Sequence, residues 1–340
     1  MSQPGTSLSP DEALRILGRW GFDASPEGIA AGSGTANASV IVATSAGRLV
    51  LRRRNPRYAR TDWVRFDHAL LAHLVADDLP VPRGVAGKVG RAWLREGSSV
   101  YELFEFIEGS QHRPGDAGEL HASGAVLAAL HQSASRFRPP IDKSWPRFHD
   151  PRDVIDGLEA LVEAAGGDEV VSTLEEALGL ARELTLRLPD RAYWALSRTV
   201  VQGDYHPANL KFDAGGVAGV FDWDWASSQP RAVDLADGLL FFCGVRDAPP
   251  VAGDIWSLTD AFTIDHQRVD HFLSGYASRT DLSSAEIQAL PDLMRCRWLY
   301  CRVDAAQRKV IPERRVEFVA RDLQTPLRGI DALEAKLIGQ

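Results

Sequence analysis

Two hydrophobic rhythms divide this chain, and one gives way to the other near residue 110. Before that point the apolar residues come in short runs, at 40–44, 49–51, 92–94 and 99–107, separated by polar residues and glycine- or serine-containing turns. Such runs predict β-strands. Two helices interrupt them. The first is announced by Ser9-Pro10-Asp11-Glu12, with Ser9 placed to cap, Pro10 at the first helical position and Glu12 to complete a capping box. Leu14, Ile16 and Leu17 give it an apolar face, and Gly18 or Gly21 ends it. The second spans 63–75, where Phe66, Leu70, Leu71 and Leu74 share a face. Beyond residue 117 the period lengthens to that of helices. Ala122, Val126, Ala129 and Leu130 form the expected inner side of a helix over 119–134. Two helices follow over 154–188, broken near Gly166-Gly167, and 233–242, 256–279, 284–308 and 314–337 read as mostly helical. The pattern is of a small sheet-based lobe over 1–108 and a larger helical lobe over 109–340.

One stretch, 200–235, departs from both rhythms. Val200 and Val201 suit the end of a buried strand, and Gly203 permits a sharp turn that leaves Asp204 at its tip. The runs 210–212 and 217–221 flank Asp213-Ala214-Gly215-Gly216, a strong turn signal, and should pair as a hairpin. That pairing returns Asp222 to the side from which Asn209 departs. Asp204, Asn209 and Asp222 then converge. Mg²⁺ takes oxygen ligands, usually one or two carboxylates completed by phosphate oxygens and water. Asn209 and Asp222 meet that need, and Asp204 beside them can accept a proton. The order Asp, Asn, then a later Asp is the order used in protein-kinase phosphoryl transfer.

Gln202-Gly203-Asp204-Tyr205-His206-Pro207-Ala208-Asn209 followed by Phe221-Asp222-Trp223-Asp224 resembles the two signatures of the aminoglycoside phosphotransferase-like kinases, which also include choline and homoserine kinases. The family usually has His where this chain has Gln202. The resemblance implies an α+β, two-lobed protein-kinase-like fold, with a small N-terminal antiparallel-sheet lobe and a larger helical C-terminal lobe. It implies ATP or GTP with Mg²⁺ as cofactors, Asp204 as catalytic base, and Asn209 and Asp222 as metal ligands. Arg52 stands where the family carries the basic residue that grips nucleotide phosphates. Asp67 takes the place of the helix Glu that pairs with it. Glu105 and Ile107, in Tyr101 to Gly109, match the interlobe hinge whose backbone binds adenine. The small-residue turn 32–37, centred on Gly34, is suited to lay backbone N–H groups over phosphates. His131 reads as a core or supporting histidine rather than a ligand, His206 as packing or hydrogen-bonding behind the loop rather than as the base, and Asp234 as anchoring the loop to a helix. Asp224 is open between assisting the metal and bonding the catalytic loop. Trp223 and Trp225 read as buried residues in preference to a cation–π platform.

Composition adjusts this picture only at the edges. The chain has 340 residues, 45% of them hydrophobic and 25% charged, the range of an ordinary globular protein. A net charge of -8 disfavours a nucleic-acid partner. Cys243, Cys296 and Cys301 are too scattered for a disulfide framework or a zinc site. With no membrane-length apolar run and no signal-peptide core, a cytoplasmic enzyme without membrane association is expected. The expected acceptor is a small-molecule hydroxyl: an aminoglycoside or other antibiotic, an amino alcohol or a sugar-like metabolite. The sequence does not specify an oligomeric state. A nucleotide-binding pseudokinase and a metal-dependent hydrolase using Asp204, His206, Asp222 and Asp224 are the alternative readings.

Overall fold

A computed structural model describes residues 7–32, 37–45, 47–248, 250–251 and 253–339. Its elements run α1 (Pro10–Trp20), β1 (Ile29–Ala31), β2 (Ala38–Thr44), β3 (Gly47–Arg53), α2 (Thr61–Ala76), β4 (Trp93–Glu96), β5 (Ser99–Glu105), α3 (Ala117–Arg136), α4 (Arg152–Ala164), α5 (Asp168–Arg187), α6 (Asp190–Ala195), β6 (Arg198–Val201), β7 (Leu210–Asp213), β8 (Gly216–Val220), β9 (Ser227–Pro230), α7 (Ala232–Phe242), β10 (Gly244–Val245), β11 (Thr263–Ile264), α8 (His266–Ala277), α9 (Ser284–Lys309), α10 (Arg315–Ala320) and α11 (Gln324–Ile338). They divide into two compact units. One holds the chain up to Gln111 with Arg136–Ser144 and Leu210–Ala226; the other holds His112–Ser135, Trp145–Asn209 and the chain from Ser227 onward.

The first unit is built on an antiparallel sheet of order β1-β2-β3-β5-β4. Alternation sorts its faces. Val40, Val42, Leu49, Leu51, Tyr101 and Leu103 pack against Ile16, Leu17 and Trp20 of α1. The opposite face presents Arg52, which pairs across strands with Glu102. Helix α1 starts as expected, with the Ser9 hydroxyl accepting the Glu12 N–H at 3.2 Å, and ends at Gly21, whose φ of +81° suits glycine. Glu12 closes no capping box, however. Its carboxylate reaches across to accept from Arg53 at 2.8 Å and from the Tyr101 hydroxyl at 2.6 Å, tying α1 to the sheet. The β7–β8 hairpin forms as anticipated, with Leu210 opposite Val220 and an irregularity between Lys211 and Phe212. It joins the unit through Ser110, which bridges to Phe212, and through the Val220 N–H, which donates to Pro80 O at 2.8 Å.

The second unit is mainly helical, with the β6–β9 and β10–β11 ladders inserted. Its α3 turns inward a face shifted from the one expected. Leu130 is buried as expected, together with Leu120, Ser123, Gly124, Leu127, Ala128 and His131, whereas Ala122, Val126 and Ala129 are only partly so. The reason lies in backbone approach. A Cβ on Gly124 would sit 2.0 Å from Phe272 O of α8, and one on Gly275 would sit 2.0 Å from His121 O. Two glycines thus let α3 and α8 meet backbone to backbone. The stretch 256–279 is not one helix. A 3₁₀ segment, Ile255–Thr259, and β11 come first, and α8 begins only where Asp265 accepts the N–H groups of Gln267 (2.8 Å) and Arg268 (3.0 Å). The long α9 opens on a full capping box between Ser283 and Glu286. Among the described residues no helix is long and apolar enough to cross a membrane.

Candidate active site

In the second unit, the loop after β6 is held from beneath by one carboxylate. Asp234, fully buried in the first turn of α7, accepts the Gln202 N–H at 2.7 Å and the Gly203 N–H at 2.8 Å. His131 Nε2 meets the same carboxylate at 3.1 Å, while His131 Nδ1 lies 2.9 Å from the Tyr276 hydroxyl. The supporting roles read from the sequence for Asp234 and His131 have this geometric basis. Gln202 supports the loop too, since its Oε1 accepts the Asp204 N–H at 2.7 Å. Gly203, at φ +88°, makes the bend.

Asp204 therefore leaves the loop at a defined angle, its side chain about 25% exposed. Arg297 of α9 donates to its Oδ1 at 2.6 Å. His206 Nε2 stands 3.3 Å from its Oδ2, and Asn209 Nδ2 lies 3.4 Å from Oδ2 and 2.9 Å from the Asp204 carbonyl. Burial alone would raise the Asp204 pKa, but His206 and Arg297 overcome it and hold the carboxyl well below the usual range. Asn209 Nδ2, which also lies 3.1 Å from His206 Nε2, spends its donors on Asp204, so its remaining polar atom is the amide oxygen, the hard donor that Mg²⁺ prefers.

The first unit carries a buried charge cluster on the sheet face opposite α1. The expected Arg52–Asp67 pair is not formed. Asp67 pairs instead with Arg54, and Lys143 adds a second cation at 2.6 Å. Alternation puts Arg52 and Arg54 on one face, and Arg54, two residues further along, is the one that reaches α2. Arg53 points the other way, to Glu12. Arg52 donates through Nε to Glu102 at 2.8 Å and through Nη2 to Asp224 at 2.9 Å, and its Nη1 stands 3.7 Å from Asp222 Oδ1. Arg54 also bonds Asp224, at 2.7 Å, and Glu102, at 3.2 Å. Asp224 takes Asn37 Nδ2 at 2.9 Å, and its carbonyl accepts from Lys143 at 2.7 Å. Burial pushes Asp224 and Glu102 up, but Arg52 and Arg54 outweigh it and keep both below their ordinary values. Asp224 is thus a buried anchor of this unit. Lys143, Glu102 and Arg54 were missed in the sequence. Only the pairing of β3 with β5 and the return of a distant segment bring them together, although the i, i+2 spacing of Arg52 and Arg54 was a visible sign.

Asp222 follows β8 in a left-handed conformation, φ 55° and ψ 68°, uncommon for a residue with a side chain. Trp223 is buried and donates Nε1–H to Val220 O at 2.8 Å. Trp225 is only partly buried, contrary to expectation, and the protein's own Arg57 stacks over it at 5.4 Å. At the expected hinge, the Glu105 N–H donates to Arg83 O at 2.9 Å and the Ile107 carbonyl accepts from Lys211 at 3.2 Å. A cavity of about 320 Å³ lies nearby, lined by Phe22, Arg48, Leu49, Val85, Glu105 and Phe106. Phe22, Leu49 and Val85 belong to the core under α1, so this cavity opens on the face away from Arg52. Gly34 lies outside the described residues. Among the described residues there is no cluster of three or more His, Cys, Asp or Glu able to hold a metal.

Residues 27–269 match the phosphotransferase enzyme family (APH), and the chain belongs to that family. It is a small-molecule kinase with a protein-kinase-like fold. Homoserine kinase of Zymomonas mobilis is 26% identical over 303 residues, covering 85% of this chain and 84% of its own. Homoserine kinase of a Chelativorans species is 30% identical over 306 residues, covering 85% and 83%. Among solved structures, a microcompartment-associated aminopropanol kinase superposes with a TM-score of 0.70 at 19% identity, covering 96% of this chain and 98% of its own. These proteins use small molecules as phosphate acceptors, and one similar structure, an amicoumacin kinase (TM-score 0.66, 15% identity, 94% and 93% covered), holds AMP-PNP and Ca²⁺.

Proposed function

We propose that this kinase transfers the γ-phosphate of ATP or GTP to the hydroxyl of a small amino alcohol of the homoserine type. Asp204 receives that hydroxyl, and Asn209 and Asp222 hold Mg²⁺. The observation that carries this reading is the Asp204 loop. Its carboxylate is kept ionised, partly exposed and fixed through both oxygens, on a backbone clamped by Asp234. The similarity to homoserine kinases over 85% of the chain favours a compact acceptor bearing an amine over a large antibiotic.

The residues imply a division of labour. Each carboxylate oxygen of Asp204 retains acceptor capacity beyond its present bonds, so an acceptor O–H can donate to it. Because Arg297 and His206 make that carboxylate a weak base, it orients the hydroxyl first and takes the proton late, as a loose phosphoryl-transfer transition state allows. Asn209 is covalently joined to Leu210, which pairs with Val220, two residues before Asp222. This continuity supports a shared role for Asn209 Oδ1 and the Asp222 carboxylate as ligands. Mg²⁺ bound there would neutralise charge on the transferring phosphates. Arg52, buttressed by Glu102 and Asp224, is suited to present Nη1 to a phosphate oxygen. Main-chain groups of the segment Glu105 to Ile107, and the Gly34 turn, are assigned to the nucleotide; Asp67 serves it indirectly, by holding Arg54.

The test is substrate-dependent ADP or GDP release with MgATP and MgGTP against homoserine, aminopropanol, choline, aminoglycosides and macrolides, with the product confirmed by ³¹P NMR. Asp204→Ala is expected to lower kcat at least about 1000-fold while nucleotide affinity stays near wild type. Asp222→Ala should weaken Mg-nucleotide binding as well. Undiminished turnover by Asp204→Ala refutes the assignment.

A further inference from the structure

Arg297 is far from the catalytic loop in sequence, and no motif singles it out. Its guanidinium, only 12% exposed, is engaged on each of its three nitrogens. Nη2 donates to Asp204 Oδ1 at 2.6 Å, Nη1 to His149 Nε2 at 3.1 Å, and Nε faces Asp237 Oδ1 at 3.3 Å. The third of these is an ion pair without good hydrogen-bond alignment. The guanidinium carbon lies over the Phe241 ring, 5.3 Å from its centroid.

His149 reports how this arrangement is maintained. A guanidinium has only donors, so the His149 nitrogen that faces it must be the unprotonated one. The imidazole is therefore neutral, with its proton on Nδ1. Burial first, and the charge of Arg297 second, keep it so. Its backbone has φ +50°, an unfavourable region for a residue with a Cβ. A strained, buried, neutral histidine spent on orienting an arginine is more than charge balance for Asp237 requires, since balance needs only a cation nearby.

We infer that Arg297 is a positioning residue for the phosphoryl transfer, its planar fork fixing the Asp204 carboxylate toward the acceptor hydroxyl, with neutral His149 setting the plane of the fork. This rests on the assignment of Asp204 made above. Asp204 Oδ1 is held by Arg297, and Oδ2 by His206 and Asn209, so rotation about its Cβ–Cγ bond is blocked from both sides. Lysine in place of Arg297 retains the charge beside Asp237 but loses the fork.

The experiment compares Arg297→Lys and Arg297→Ala in the acceptor assay, with Asp204→Asn alongside. Arg297→Ala should lose about 100-fold in kcat with KM for MgATP within about twofold, the scale expected when a reacting group is misplaced by an ångström. Arg297→Lys should fall between it and wild type, and added methylguanidinium should recover part of the Ala variant's kcat. A kcat within twofold of wild type in both variants, a loss confined to KM for MgATP, or no recovery with methylguanidinium overturns the inference. Should the Ala variant fold poorly, Arg297→Ala with Asp237→Asn removes the cation and one buried carboxylate together. A crystal structure of that double variant serves independently of turnover: the Asp204 carboxylate should be rotated off Asn209, and an unmoved carboxylate overturns the inference. Active Asp204→Asn would instead sink the catalytic assignment of Asp204, so the two failures are distinct.

Discussion

Asp234→Asn is the substitution whose consequence follows most directly from geometry. The carboxylate accepts three bonds, from Gln202 N–H, Gly203 N–H and His131 Nε2, in a position with no solvent access. An amide of the same shape has one acceptor oxygen. If that oxygen occupies the Oδ2 position it retains Gln202 and His131, and its NH₂ then confronts the Gly203 N–H. One charge-assisted bond becomes a buried donor facing a donor. Bonds to a charged group contribute about 1.5–3 kcal/mol, and a stranded buried donor costs about 1–3 kcal/mol, quantities that overlap. A net loss of about 2–4 kcal/mol is expected, against a total of about 5–15 kcal/mol for a typical domain. The protein should therefore still fold. The freed N–H belongs to the residue immediately before Asp204, so kcat should fall about 10- to 100-fold as the loop shifts. Urea unfolding with a constant slope measures the first quantity and steady-state kinetics the second. An unfolding free energy within about 0.5 kcal/mol of wild type, or a normal kcat in a demonstrably destabilised variant, would refute the account of Asp234 as the clamp that aims Asp204.

Two further predictions concern the second unit. Gly124→Ala places a methyl group into the α8 backbone at Phe272 O; it should destabilise by about 1–3 kcal/mol despite the better helix propensity of alanine, and an equal or higher unfolding midpoint would contradict the close approach of α3 and α8. His149 is kept neutral by burial and by Arg297, so below about pH 6.5 the unfolded chain takes up a proton that the folded one refuses, and stability falls as pH falls. His149→Asn, which tolerates the positive φ, should lessen that loss by up to about 1.4 kcal/mol per pH unit between pH 6 and 5, and parallel stability curves for the two proteins would exclude it.

Legibility differed from residue to residue for identifiable reasons. The turn at Gly203, the hairpin around Asp213 to Gly216 and four strands of the first sheet, all but the short β1, were readable, because each depends on residues close in sequence. Asp234 and His131 were recognised as supports because a local motif contains each. The Arg52–Asp67 pairing was misjudged by two residues. Which of two arginines on one strand face meets a helix is set by where that helix lies, and hydrophobic period does not carry that distance. The face of α3 was misjudged for a related reason: alanine and valine mark an apolar side, whereas Gly124 marks where another backbone comes closest.

By itself, the sequence determined the change from strands to helices along the chain, the loop that carries Asp204 and Asn209, the hairpin leading to Asp222, and hence the class of chemistry, because hydrogen bonding in turns and short strands is a local matter. Tertiary structure alone decided the company these residues keep. Arg297 comes to Asp204 from 93 residues further along. Lys143 reaches Asp67 from 76 residues away, and Arg54 reaches Asp224 across 170. A buried charge must find an opposite charge wherever packing delivers one, and packing is a property of the whole chain.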